Sequence, residues 1–152
     1  GIVVPISRRY ELLGWANKVE KHYIIEDLDD WNGAMCVEDG LYCASETKVN
    51  LSTSMIKSVS GQTIGEEGLF NLCLKGSGKV VLECDVPQEE LITIDLHNDT
   101  LKIDGSFAIA WSENLDFTVE RSGKTLIGSA MSGEGLVNVY RGTGRVLIKP
   151  QI

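Results

Sequence analysis

The sequence predicts an all-β chain, an antiparallel β-sandwich or barrel, and three observations carry that prediction. Short runs alternate apolar and polar residues with period two. Glycine triplets and Asn-Asp, Asp-Gly and Ser-Gly steps punctuate them. The arrangement also occurs twice, which suggests two pseudo-symmetric halves sharing one core.

The duplication is plainest in one signature. Glu67-Gly68-Leu69-Phe70-Asn71-Leu72, followed by Lys75-Gly76-Ser77-Gly78-Lys79-Val80-Val81-Leu82, returns as Glu134-Gly135-Leu136-Val137-Asn138-Val139 and Arg141-Gly142-Thr143-Gly144-Arg145-Val146-Leu147-Ile148. Fainter matches precede it, with Asp39-Gly40-Leu41-Tyr42 against Asp104-Gly105-Ser106-Phe107 and Ser45-Glu46 against Ser112-Glu113. The chain therefore divides into a first repeat over 35–86 and a second over 100–150, with 1–34 as an N-terminal extension or edge strands. A length of 152 residues with 43% hydrophobic content suits a single domain able to bury its own core.

Within the extension, Tyr10 to Val19 reads as a broken helix or an irregular strand, with strand preferred. His22 to Glu26 reads as a strand that the acidic Asp27-Leu28-Asp29-Asp30 ends. In each repeat the triplets Gly76-Ser77-Gly78 and Gly142-Thr143-Gly144 read as hairpin turns, because glycine reaches the positive φ that tight turns need. Beyond them Val80, Leu82 and Cys84, and then Val146 and Ile148, alternate as half-buried strands should. Further alternating runs are Ile92-Ile94-Leu96, Phe107-Ile109-Trp111 and Phe117-Val119. The first copy carries one more residue between its Asn and its turn, Leu72 to Lys75 against Val139 to Arg141. One extra residue reverses side-chain facing unless absorbed, so a β-bulge or altered turn is expected there.

Charge and composition exclude several function classes. Lys and Arg number 14 against 22 Asp and Glu, and the net charge of −8 repels phosphate backbones; no nucleic-acid partner is expected. Apolar runs fall far short of the roughly 20 residues of a helical membrane span. The apolar opening from Gly1 to Pro5 is too brief for a signal peptide. The cysteines Cys36, Cys43, Cys73 and Cys84 show no Cys-x-x-Cys spacing. They read first as buried small side chains of a reduced, cytoplasmic protein, with a disulfide as the alternative and zinc well behind. All four fall in the first repeat, and a framework essential to the fold should not be missing from half of it.

Candidate chemistry is sparse. Asp27, Asp29, Asp30, Asn32 and Glu38 faintly resemble a calcium loop, but Trp31 occupies a ligand position and Asn32 stands where the turn glycine belongs; a solvated acidic loop is preferred. His97, in a polar turn, and His22 have no identifiable acid-base or metal partner. Glu67 and Glu134 are equivalent carboxylates that repetition explains more simply than glycosidase chemistry does. The Gly-x-Gly triplets precede no helix and cannot cradle phosphate. No nucleophile motif occurs. The expectation is therefore no catalytic residue, no cofactor and no metal.

Gly33-Ala34-Met35, Gly133-Glu134-Gly135-Leu136, Phe107 to Trp111, Asp116 to Glu120 and Tyr140 to Ile148 resemble the bacterial branch of the altered-inheritance-of-mitochondria family, over roughly Asn32 to Pro150. The resemblance implies a sandwich shaped like the tryptophan-RNA-attenuation-protein fold, a homo-oligomer such as a trimer, and no accepted catalytic residues. The chain is shorter than typical members, and Ser58 to Gly65 is a modest counterpart of their glycine-rich segment. A non-enzymatic assembly protein is the first expectation, with Trp15, Trp31 and Trp111 divided between core packing and subunit contact. A small-ligand binding module comes second, its ligand unknown. An enzyme comes third, and needs His22, His97 and scattered carboxylates to converge.

Overall fold

The computed structural model describes residues 1–3, 21–55, 70–105, 107–121 and 136–150. Its strands are β1 (Ile2–Val3), β2 (His22–Asp27), β3 (Ala34–Val37), β4 (Tyr42–Glu46), β5 (Val49–Met55), β6 (Phe70–Gly76), β7 (Lys79–Cys84), β8 (Ile92–Asp104), β9 (Ala108–Ser112), β10 (Asp116–Arg121) and β11 (Leu136–Ile148). Two short 3-10 turns, Leu28–Trp31 and Gln88–Glu90, complete the described elements. All pairings are antiparallel, so the all-β sandwich expected from the alternating runs is the observed architecture. One sheet has the order β1-β4-β7-β2; the other runs β10-β11-β9-β3-β6-β5, with β8 also on β11. Of the extension, β1 and β2 lie at the two ends of the smaller sheet, and Tyr10 to Val19 falls outside the described residues.

The glycine triplets do not make hairpins. β6 pairs with β3 and β5 in one sheet, whereas β7 pairs with β2 and β4 in the other, so Gly76 to Gly78 carries the chain around a corner between layers. At the matching place, Gly142-Thr143-Gly144 is a kink inside the single strand β11, where its register on β8 shifts. The glycines do supply positive φ, 130° at Gly76 and 121° at Gly142, but that freedom bends a strand here instead of reversing it. β8 likewise runs through the Asn98-Asp99 step that reads as a break. Asn98 takes φ 50°, and its N–H donates to Thr143 Oγ1 at 2.9 Å, so the ladder resumes beyond.

Of the β-bulge or altered turn expected between Leu72 and Lys75, the bulge is absent. β6 pairs without a shift from Val49↔Gly76 to Met55↔Phe70. Corresponding ladder pairs elsewhere lie 66 positions apart, as Asn50↔Lys75 and Asp116↔Arg141 do. Asn138 then takes the ladder position of Leu72, so the extra residue slides the signature along the strand instead of kinking it. Besides the one at Gly142 to Gly144, shifts occur between Tyr42 and Ala44 and between Leu147 and Ile148, these two at matching places.

Two apolar cores flank the middle of the larger sheet. Ile24, Leu28, Trp31, Met35, Val80 and Leu82 belong to one, with Ile109, Ala110 and Leu147. Trp111, Tyr140, Val146, Ile148, Leu96 and the cysteines Cys36 and Cys73 form the other. β9 reads as half-buried by alternation, yet every residue of it is buried, because its two faces serve the two cores. Trp111, Phe117 and Tyr140 pack with ring centroids 5.0 to 5.4 Å apart.

The cysteine reading needs correction at one pair. Cys36 and Cys73 are ladder partners on β3 and β6 and form a disulfide, so these two are not reduced thiols. Direct opposition on adjacent strands is what brings residues 37 apart in sequence within bonding distance, a proximity that spacing alone does not reveal. Cys43 and Cys84 lie outside the bond.

Candidate functional site

The acidic segment after β2 is a cap, not a cation loop. Asp27 Oδ1 accepts from the N–H of Asp29 at 3.0 Å at the start of the Leu28–Trp31 turn, and Asn32 closes it in the left-handed conformation at φ 56°. Among the described residues no three His, Cys, Asp or Glu side chains gather as a metal site. Trp31 is 1% exposed, donates from Nε1 to Glu26 Oε2 at 3.2 Å, and lies 5.8 Å under the Arg145 guanidinium. Trp111 is 3% exposed. Both are core residues, which removes them as subunit contacts; Trp15, Glu67 and Glu134 lie outside the described residues. His97 is exposed on β8 and His22 begins β2 in the other sheet, so they do not meet in one ladder.

Titratable groups do meet where β7 and β11 end. Lys149 Nζ stands 3.1 Å from Asp85 Oδ1, and the hydrogen bond it donates holds that carboxyl below its usual range. The Cys84 thiol donates toward the same oxygen at 3.7 Å, and burial pushes its pKa up, which leaves it a poor nucleophile. Burial also raises Glu38, against the opposing pull of Lys149 and with Asp39 adding to the rise. Nearby in the core, Asn138 Nδ2 donates to Tyr140 Oη at 3.0 Å; burial raises Tyr140 far above an ordinary phenol. These groups stabilise one another, and no activated thiol or matched acid-base pair results.

A different surface stands out on β2. Ile24 is fully buried, while Tyr23 and Ile25 on either side are each 56% exposed on the outer face. Ile25 pairs with the half-buried Val81, which pairs in turn with Ala44, so an apolar stripe crosses the sheet. Tyr23 pairs with Glu83, whose carboxylate is buried against Lys21 Nζ at 3.3 Å. Among the described residues β2 pairs only with β7. The strand read over His22 to Glu26 carries both side chains, but a strand pattern alone does not say which face meets solvent.

A family model described as Mitochondrial biogenesis AIM24 matches residues 12–151, a span that begins upstream of the resemblance read from 32–150. The chain belongs to the AIM24 family. An uncharacterised protein of Streptococcus pyogenes serotype M6 is 29% identical over 130 residues, covering 86% of this chain and 46% of that protein. A crystal structure of another Streptococcus pyogenes protein superposes with TM-score 0.64 at 23% identity, over 85% of this chain and 54% of that one. That likeness is one of fold. This AIM24 chain spans about half the length of the relatives it matches. No helix among its described residues is long and apolar enough to cross a membrane.

Proposed function

We propose that this AIM24-family chain is a non-enzymatic assembly protein that works as a homo-oligomer through the surface of its sandwich. The observation that carries the reading is the exposure of Tyr23 and Ile25, 56% each, on a strand that, among the described residues, ends its sheet. An aromatic and a β-branched side chain held rigidly in the open are costly for a lone subunit and favourable once covered. The ion pairs and raised thiol where β7 and β11 end support a structural role for the one titratable cluster described above.

The same reading takes 35–86 and 100–150 as two copies of one unit, already associated within the chain. Ladder pairs 66 positions apart support it, including Tyr42↔Leu82 with Ala108↔Ile148 and Leu51↔Leu74 with Phe117↔Tyr140. Strand β3 of the first copy pairs with β9 of the second, so the unit already associates with itself through a sheet. Native mass spectrometry on freshly purified protein tests the proposal. A ligand-free oligomer is the expected result; a monomer carrying a stoichiometric added mass would replace assembly with ligand binding.

A further inference from the structure

We infer that β2 is the assembly edge and that its partner is β2 of a second copy, aligned antiparallel about a two-fold axis at Ile24. The inference rests on the assembly reading above and adds to it a strand, a register and a symmetry. A two-fold antiparallel contact is self-complementary, so the strand must match its own reverse. The segment Lys21-His22-Tyr23-Ile24-Ile25-Glu26-Asp27 does so in one register. Centred on Ile24, that register sets Lys21 opposite the second copy's Asp27, His22 opposite its Glu26, and Tyr23 opposite its Ile25. The basic end of the strand thus meets the acidic end of its copy, twice per interface.

Side-chain facing agrees with the same alignment. Residues directly opposed in an antiparallel pair lie on one face. Tyr23 and Ile25 share the outer face, so each exposed aromatic gains an exposed β-branched neighbour, a favourable cross-strand combination. Centring the axis between Ile24 and Ile25 would instead oppose a fully buried residue with an exposed one, which the facing of the strand forbids. The four-stranded sheet β1-β4-β7-β2 would then continue through the axis as eight strands.

Such a contact closes on itself as a dimer and cannot generate a three-fold ring, so subunit number and register are tested together. Native mass spectrometry is run on the wild type, Ile25→Lys and Tyr23→Lys, with thermal melts to verify that these surface variants stay folded. The expected result is an even number of subunits in the wild type and a dissociation constant raised about tenfold or more in each variant, since each change enters the interface twice. Disulfide trapping then reads the register in a Cys43→Ser background. A mixture of Tyr23→Cys and Ile25→Cys chains is expected to cross-link faster than either alone, because position 23 meets its own copy only on the diagonal, about 7–8 Å away.

An odd subunit number overturns the β2 contact. So does an even-numbered assembly that both lysine variants leave intact and that fails to cross-link in the mixture, although assembly itself would then stand. A wild-type monomer removes the second copy as the occupant and takes the assembly reading with it.

Discussion

Replacing Gly76 and Gly142 by alanine, one at a time, separates backbone strain from steric collision. The two glycines sit 66 positions apart at matching corners and hold nearly the same φ, 130° and 121°. An L-residue there is strained by about 1–3 kcal/mol, partly offset by about 0.4–1 kcal/mol from a stiffer unfolded chain. Gly142 presents open surroundings, since a Cβ would meet only Leu115 Cδ2 at 3.7 Å. Gly142→Ala should therefore cost about 1–2 kcal/mol. Gly76 is different, because its Cβ would run into the carbonyl oxygen of Lys48. Relief by movement is blocked on both sides: the Gly76 N–H donates to Gly33 O at 2.9 Å, and Gly76 pairs with Val49. Yielding breaks one or two backbone hydrogen bonds at this corner, adding about 0.5–1.5 kcal/mol for each. Urea unfolding of both variants reads the difference, and a gap near 2 kcal/mol appears as a midpoint separation of about 1 M at a typical urea slope. Equal midpoints, or a larger loss at Gly142, would refute the claim that the neighbouring carbonyl decides the outcome.

Three further results are expected. Under denaturing, non-reducing conditions only Cys43 and Cys84 should react with a thiol reagent, and replacing Cys36 and Cys73 together by alanine should cost up to about 4 kcal/mol for a 37-residue loop; four reactive thiols in acid-quenched protein would restore the reading of four reduced cysteines. Tyr140→Phe strips the acceptor from the buried Asn138 amide and should lower stability by about 1–3 kcal/mol in a denaturant melt, whereas an unchanged midpoint would show that the amide finds another partner. Burial raises the pKa of Tyr140 in the folded state, so its contribution is intact below the unfolded phenol value near 10 and is lost as pH climbs past it; phenolate absorbance at 295 nm from this ring should appear only with unfolding.

Much of this fold is legible because β periodicity is a local property. The runs from His22 to Glu26, from Val80 to Cys84 and from Phe117 to Val119 all lie in observed strands, the first extending one residue further to Asp27. What each glycine triplet does is not local. Gly76 and Gly142 supply the dihedral freedom a hairpin needs, but the partners of β6 and β7 lie in different layers, and only those partners distinguish a corner from a reversal. Leu147 defeats alternation for a related reason, since Val146 and Leu147 face separate cores and are both buried. The disulfide escapes because Cys36 and Cys73 meet through register on adjacent strands. For the candidate surface, alternation places Tyr23 and Ile25 on one face of β2, but only the assembled sheet shows that this face points outward.

β9 has a consequence for how the chain comes apart. Its residues pair with β3 on one side and β11 on the other, Ala110 and Trp111 with both, and Ala108 to Trp111 enter both interiors. Opening the second half alone would strip β3 of a neighbour and pull Ile109 and Ala110 out of the first interior. Opening the first half alone would bare the same two side chains. Neither sub-globular opening is cheaper than losing a shared strand, so amide hydrogens along β9 should exchange only when the whole described body unfolds, at one common rate with those of β3 and the C-terminal part of β11. A chain cut between its repeats would then yield two fragments that each lack an interior wall, and complementation would require them together.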